Sequence, residues 1–72
     1  MRKKLIERRK AKGFTQQQMS EKLNIARTTY TGYELGTFFP SFLIALKIKK
    51  ILNYKKDDIF LNTEDSKTNK TF

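Results

Sequence analysis

The stretch from 13 to 36 most constrains what this chain can fold into, because it contains two helical patterns separated by a single tight turn. Thr15 can cap the first helix with its hydroxyl, and Met19 and Leu23, four residues apart, form one inward face. The pattern stops at Asn24, and asparagine is the non-glycine residue type that best tolerates a left-handed backbone. The sequence therefore predicts a short helix that ends in a turn.

A second helical pattern follows this turn and stops at Gly36. It is predicted to run from about 27 to 35, with Tyr30 and Tyr33 as its buried side. The opposite side is short and polar, and it carries Arg27, Thr28, Thr29, Thr31 and Gly32. The sequence therefore predicts two short helices, the second of which presents a small polar face.

Composition and charge restrict the functions that such an element can serve. With 72 residues the chain forms one small domain, whose core is too thin to enclose an active-site cavity. The formal net charge of +9 favours nucleic acid or an anionic membrane as a partner. Cysteine and histidine are both absent, which removes a disulfide framework, the usual zinc ligands and the commonest general base. We therefore expect no enzyme, no metal and no cofactor.

The sequence also disfavours a membrane protein. Its longest apolar run, from 42 to 46, is far shorter than a membrane span, and the basic N-terminus lacks the apolar region of a signal peptide. Because the basic residues are spread over several short helices, a membrane-surface protein is also disfavoured. We expect a cytoplasmic protein.

The first helix is predicted over 2–12 and is strongly basic. Leu5 and the stem of Arg9 lie one turn apart and share a core-facing stripe with Met1. Basic residues on the other faces, such as Lys10, could reach a phosphate backbone, or they could form an ordinary solvated surface.

A fourth helix is predicted over 41–53, with Ser41 as its cap, and a short helical segment over 56–61 closes the domain. Leu43 and Leu46 lie away from the main apolar face of the fourth helix. They either pack against the last helix and the loop or form a contact patch for a second subunit, and we favour packing because a small domain uses most of its apolar residues internally.

The predicted architecture is an all-α domain, because five helical segments and no strand candidate occur in the chain. The domain is expected over residues 1–61. Residues 62–72 are rich in Asn, Thr, Lys, Ser and acids, and they are expected to form a disordered tail.

One ordered series of residues extends over most of the chain, from 5 to 60: Arg9, Gly13, Phe14, Thr15, Gln16, Met19, Leu23, Ile25, Tyr33, Glu34, Gly36, Pro40, Ile48, Leu52, Ile59 and Phe60. In register, this series resembles the helix-turn-helix domain of the lambdoid phage repressor and Cro type, also called the xenobiotic-response-element type. The resemblance implies a compact five-helix domain that binds double-stranded DNA as a homodimer. Its helix-turn-helix would be formed by helices 2 and 3.

The resemblance implies that the N-terminal residues of the third helix meet base edges. These residues are Arg27, Thr28 and Thr29, with Gly32 one turn further along. Arg27 is the strongest candidate, because its planar guanidinium matches guanine O6 and N7 in the major groove. The alternative is a solvated surface arginine that touches at most a phosphate.

Phosphate contacts are expected from a second set of residues: Gln16, Thr15, Lys10, Thr37, Ser41 and Phe42. By the resemblance, Gln16 would also brace the third helix, whereas Thr15 would serve mainly as a cap. The backbone amides of Ser41 and Phe42 stand at the start of a helix, where anions bind. Arg9 and Glu34 correspond to a structural salt bridge between the first helix and the end of the third.

Three features depart from the family pattern. Ala26 stands where a serine or threonine usually caps the third helix. Gly32 replaces a side chain that often reads a base, although it would let the backbone approach DNA closely. The loop after Gly36 offers Phe38 and Phe39 in place of basic residues, and these rings are expected to cover the core or to join a dimer contact.

The function implied is that of a sequence-specific transcription regulator, a repressor of the phage or mobile-element type that acts at a near-palindromic operator. The alternative is a protein-interaction module, such as an antitoxin or antirepressor. An exposed patch of Phe38, Phe39, Leu43 and Leu46 would favour that alternative.

Overall fold

A computed structural model describes residues 1–62, which contain four α-helices and one short 3₁₀ helix. The α-helices are α1 (Lys3–Ala11), α2 (Gln16–Leu23), α3 (Arg27–Leu35) and α4 (Phe42–Ile51), and the 3₁₀ helix is Asp58–Phe60. No strand occurs in residues 1–62, so the all-α class is confirmed for this part of the chain. Of the predicted tail, Asn62 is described and accepts a hydrogen bond from the Met1 amine, whereas residues 63–72 lie outside the described residues.

The ends of α2 follow the capping chemistry expected from the sequence. Thr15 Oγ1 accepts a hydrogen bond from Gln18 N at 3.0 Å, and the Gln18 side chain accepts one from Thr15 N at 2.8 Å. These reciprocal bonds form a capping box. Asn24 ends the helix with a φ of 57°, which is the left-handed conformation predicted for the turn.

The core consists of one apolar cluster with contributions from every helix. Its buried members are Leu5, Met19, Leu23, Tyr30, Tyr33, Ile48, Leu52 and Ile59. The burial predicted for residues of the first three helices is therefore confirmed for Leu5, Met19, Leu23, Tyr30 and Tyr33. The rings of Tyr30 and Tyr33 meet edge to face with their centroids 6.2 Å apart, which is a favourable arrangement for two buried aromatic rings.

The closing segment is shorter than the sequence predicts. A helix was expected over 56–61, but only the three residues Asp58–Phe60 are helical, and they form a 3₁₀ turn. Such turns are typical of short connecting pieces, in which too few residues are available for α-helical hydrogen bonds. The turn packs against α1 and brings Ile59 into the core.

The outer surface of α4 contradicts the packing that we favoured for two leucines. Leu43 is 68% exposed and Leu46 is 42% exposed, so neither packs against the last helix or the loop. The reason is that the closing turn packs against α1, which leaves this side of α4 open. Phe42 is exposed beside them, and we call Phe42, Leu43 and Leu46 the α4 outer surface.

Arg2 occupies a position that the sequence analysis did not identify. The sequence pattern places it in the strongly basic first helix, but it precedes α1 and its side chain is fully buried. Its Nε donates to the carbonyl oxygen of Phe60 at 2.8 Å, and its Nη1 donates to those of Tyr33 at 2.5 Å and Phe38 at 2.8 Å. One guanidinium therefore joins the end of α3, the following loop and the closing turn.

A signal for this burial exists in the sequence. Arg2, Leu5 and Arg9 are spaced three and four residues apart, which places them on one side of a helix. Leu5 and Arg9 were assigned to the core-facing stripe, and both are buried. The stripe predicted from the sequence already reached Met1, and widening it by one residue at this end would have included Arg2.

We expect Arg2→Ala to lower the free energy of unfolding by about 2–4 kcal/mol, because buried carbonyl oxygens lose their charged donor and a cavity is left. The exposed Lys3→Ala serves as the control and should change it by less than about 0.5 kcal/mol. Chemical denaturation of both variants measures the difference. Equal effects would show that the buried guanidinium contributes nothing to stability.

Asp58 links the closing turn to the rest of the domain through polar contacts. Its Oδ1 accepts a hydrogen bond from the Tyr54 hydroxyl at 2.7 Å, and its Oδ2 lies 3.1 Å from Lys4 Nζ. The hydrogen bond from Tyr54, together with the bond and charge of Lys4, lowers the pKa of Asp58 below its usual value. The folded protein therefore favours the ionised carboxylate.

This lowered pKa predicts an acid-sensitive contribution to stability. The unfolded chain protonates the carboxylate near pH 3.9, so the contribution is present above about that pH and is lost as the pH falls through the lower pKa of the folded state. We expect wild type to lose more stability than Asp58→Asn between about pH 5 and pH 2. Chemical denaturation across this range tests the prediction, which parallel curves for the two proteins would contradict.

Candidate nucleic-acid interface

The polar face predicted from the sequence lies on the surface at the start of α3. Arg27 and Thr28 are exposed, and Thr29 and Thr31 are half-buried. The helix begins after Ala26, whose side chain makes no capping hydrogen bond, as its residue type indicates. The first turn of α3 therefore depends on its packing against α2 rather than on a cap.

A buried ion pair lies behind this face and joins α1 to the end of α3. Arg9 Nε donates to Glu34 Oε2 at 2.6 Å, and Arg9 Nη2 donates to Glu34 Oε1 at 3.3 Å. Arg9 Nη1 also donates to the carbonyl oxygen of Phe14 at 2.8 Å. Both charged side chains are buried, and the hydrogen bond to Glu34 raises the pKa of Arg9. These are the two positions that the resemblance implies for a structural salt bridge.

Gln16 extends this network to the start of α2. Its Nε2 donates to Glu34 Oε1 at 2.9 Å, and its Oε1 accepts from the Thr31 hydroxyl at 3.0 Å. The side chain thus holds α3 at two points. An amide nitrogen carries two N–H groups, and Glu34 takes one of them, so the other is available to an anion at the surface.

Tyr30 lies fully buried beside the ion pair. Burial raises the pKa of its hydroxyl, and the neighbouring Glu34 acts in the same direction. The phenol therefore stays neutral at physiological pH and adds no second negative charge next to Glu34.

Gly32 differs from expectation in its surroundings, because it is buried under an aromatic ring. A Cβ built on this glycine would lie 2.2 Å from Phe38 Cδ2, well inside any allowed contact. The Phe38 ring therefore covers the α3 backbone at this position. Direct contact between Gly32 and a base would require the ring to move.

The structure brings five of the predicted site residues together in one open groove along α3: Gln16, Arg27, Thr28, Gly32 and Thr37. Thr31, Leu35 and Phe38 complete its lining. The remaining predicted site residues, Thr29, Thr15, Lys10, Ser41 and Phe42, do not line this groove. The groove therefore combines three of the four base-reading candidates with two of the phosphate-binding candidates.

The phosphate-binding candidates outside the groove lie on exposed positions. Two of them already use their side chains as caps, since Thr15 Oγ1 accepts from Gln18 N and Ser41 Oγ accepts from Ile44 N at 3.2 Å. An accepting hydroxyl keeps its O–H donor, so both side chains can still donate to an anion, whereas the backbone amide of Thr15 is already bonded to the Gln18 side chain. Lys10 presents an exposed ammonium on α1.

Within residues 1–62, no helix is long and apolar enough to cross a membrane. The same residues contain no group of three or more His, Cys, Asp or Glu side chains that could hold a metal ion.

We expect Glu34→Ala to lower the free energy of unfolding by about 3–5 kcal/mol, because it leaves the Arg9 charge buried without its partner. The double variant Arg9→Met/Glu34→Leu removes both charges and should be less destabilised than the single variant. Chemical denaturation measures both. The exposed Glu21→Ala is the control, and a cost for Glu34→Ala no larger than for this control would contradict the structural role.

Comparison with known proteins is consistent with this geometry. Residues 3–65 match a family described as a helix-turn-helix domain. The uncharacterised HTH-type transcriptional regulator YgzD of Bacillus subtilis is 35% identical over 66 residues, which cover 92% of this chain and all of YgzD. The uncharacterised HTH-type transcriptional regulator MJ0272 of Methanocaldococcus jannaschii is 35% identical over 65 residues, which cover 90% of this chain and 98% of MJ0272.

A longer relative matches in part of its length. The HTH-type transcriptional regulator ImmR of Bacillus subtilis is 35% identical over 69 residues, which cover 96% of this chain and 54% of ImmR. No solved structure matches the chain. The match over most of the sequence, together with the packing of α2 against α3, shows that this chain belongs to the helix-turn-helix domain family.

Proposed function

We propose that the protein is a sequence-specific regulator of transcription that binds double-stranded DNA, docks as the lambdoid repressor and Cro type does, and represses at a near-palindromic operator. The observation that carries this proposal is the exposed position of Arg27 and Thr28 at the start of α3, a helix that Arg9 and Gln16 bind through Glu34. A rigid helix with short polar side chains can enter a major groove. This function would be performed in the cytoplasm, as expected above.

Base reading is assigned to the first turn of α3. Arg27 can donate two hydrogen bonds to guanine O6 and N7, which discriminates against other bases by about 1–3 kcal/mol. Thr28 and Thr29 can exchange hydrogen bonds with base edges or place a methyl group against thymine. Gly32, the fourth candidate, would contact a base through its backbone only after Phe38 moves.

Affinity is assigned to contacts with the phosphates. Lys10, the remaining N–H of Gln16, the Thr37 hydroxyl and the amides of Ser41 and Phe42 would bind phosphates. Each neutralised phosphate releases counterions, so this part of the affinity falls with salt and is the same for all sequences. The net charge of +9 supports it.

A homodimer would give the symmetry that a near-palindromic operator requires. Two copies of α3, about 34 Å apart, would enter successive major grooves and exclude other proteins from the site. The α4 outer surface offers apolar area that a second copy could bury.

Exposed apolar side chains of α4 and of the loop before it support a second candidate function, a protein-interaction module of the antitoxin or antirepressor kind. Phe39 and Leu43 are 80% and 68% exposed, and Phe38 and Leu46 are also open to solvent. Two measurements would distinguish the two functions. One is light scattering of the protein alone and with a candidate partner protein, and the other is the affinity of the protein for a preferred and a scrambled duplex. A stable hetero-complex with equal affinity for both duplexes would favour the interaction module.

Selection of bound duplexes from a random library should return one preferred sequence with two related halves. On that duplex we expect Arg27→Ala to lose about 1–3 kcal/mol, and on a scrambled duplex to lose little, because only base reading is removed. Lys10→Ala should weaken both duplexes alike and reduce the salt dependence by about one phosphate contact.

Titration of both variants at several salt concentrations measures these effects. Equal losses on the two duplexes for Arg27→Ala would exclude it as a base reader. A selection that returns no preferred sequence would overturn the proposed function itself.

A further inference from the structure

One aromatic side chain lies in the groove that three of the four proposed base readers line. Phe38 lines this groove together with Arg27 and Thr28, although it belongs to the loop after α3. The ring is 50% exposed. Leu35, which is also 50% exposed, lines the same groove, so the ring is part of an apolar surface that favours an apolar contact with whatever enters the groove.

The backbone of Phe38 is held on both sides. Its N–H donates to the carbonyl oxygen of Gly32 at 3.2 Å, and its carbonyl oxygen accepts from the buried Arg2 Nη1 at 2.8 Å. These two hydrogen bonds fix the position of the Phe38 backbone, from which the ring extends. Little backbone freedom remains to be lost when a ligand contacts it.

Gly32 provides the seat for this ring. A Cβ at position 32 would lie 2.2 Å from Phe38 Cδ2 and 2.6 Å from Cε2, so only glycine lets the ring lie against the helix here. The ring occupies the space that a side chain of residue 32 would fill. Because residue 32 is one turn after Thr28, the ring continues the row of side chains along the outer face of α3.

The chemistry of the major groove identifies the group that such a ring would meet. The C5 methyl of thymine is an apolar group on a base edge, and phenylalanine is among the side chains that contact it. We infer that Phe38 is a specificity-determining residue whose ring packs on a thymine methyl group one turn beyond the bases read by Arg27 and Thr28. This inference rests on the proposed function and assigns the thymine contact to the loop after α3.

The test uses the full chain and the preferred duplex from the library selection. Each thymine is replaced singly by deoxyuridine, which keeps the base pair and removes only the methyl group. We expect wild type to lose roughly fourfold in affinity per methyl group at one symmetric pair of positions, as burial of one such group predicts. Phe38→Ala should bind the thymine and uracil duplexes equally, at about the affinity of wild type for the uracil duplex.

Two variants serve as controls. Phe39→Ala removes the adjacent ring, which is 80% exposed and does not line the groove, and it should keep the full response to the methyl group. Arg27→Ala should also keep this response, because it reads a different base pair. Thermal unfolding of each variant checks the fold, and Phe38→Gln replaces Phe38→Ala in the comparison if the alanine variant is not folded.

The outcomes separate the inference from the proposed function. A wild type that responds to no thymine methyl, or a Phe38 variant that keeps the wild-type response, overturns the inference while sequence-specific binding stands. A response that disappears in the Phe38 variant and persists in Phe39→Ala supports it. If the selection yields no preferred duplex, the proposed function and the inference about Phe38 both fail. This outcome is known before any thymine is replaced.

Discussion

The orientation of α3 depends on the buried pair between Arg9 and Glu34. Two charges that are out of contact with water can be accommodated only if each finds its partner in good geometry, and here the partners come from α1 and the end of α3. Gln16 adds the start of α2 to the same carboxylate. All three helices around the interface therefore meet at one side chain, and a displacement of α3 would break several hydrogen bonds at once.

A second buried arginine performs the same task for the loop after α3. Arg2 binds carbonyl oxygens of Tyr33, Phe38 and Phe60, so the loop and the closing turn share one donor. The consequence for function is that part of the basic charge lies inside the domain, where no phosphate can reach it. The charge count of the sequence thus overstates the number of basic groups at the surface, to which the exposed Lys10 belongs.

The sequence of α3 is less favourable for helix formation than that of α2. Ala26 provides no cap and Gly32 is a weak helix former, so local propensity favours α3 less than α2, whose capping box is complete. Packing against the core through Tyr30 and Tyr33 compensates for this. Because Gly32 has no side chain, the ring of Phe38, from the loop after α3, can lie against the helix at this position.

The sequence by itself determined the local structure: the helix faces, the capping at Thr15 and the left-handed turn at Asn24. These follow from periodicity and from backbone preferences that act within a few residues. Only the tertiary structure decided that Arg2 is buried, that Leu43 stays exposed and that Phe38 covers the outer face of α3. Each of these depends on which segment packs against which, and the 3₁₀ turn packs on α1 rather than beside the outer leucines. Spacing along the chain carries no such information, because the contacts join residues that are distant in sequence.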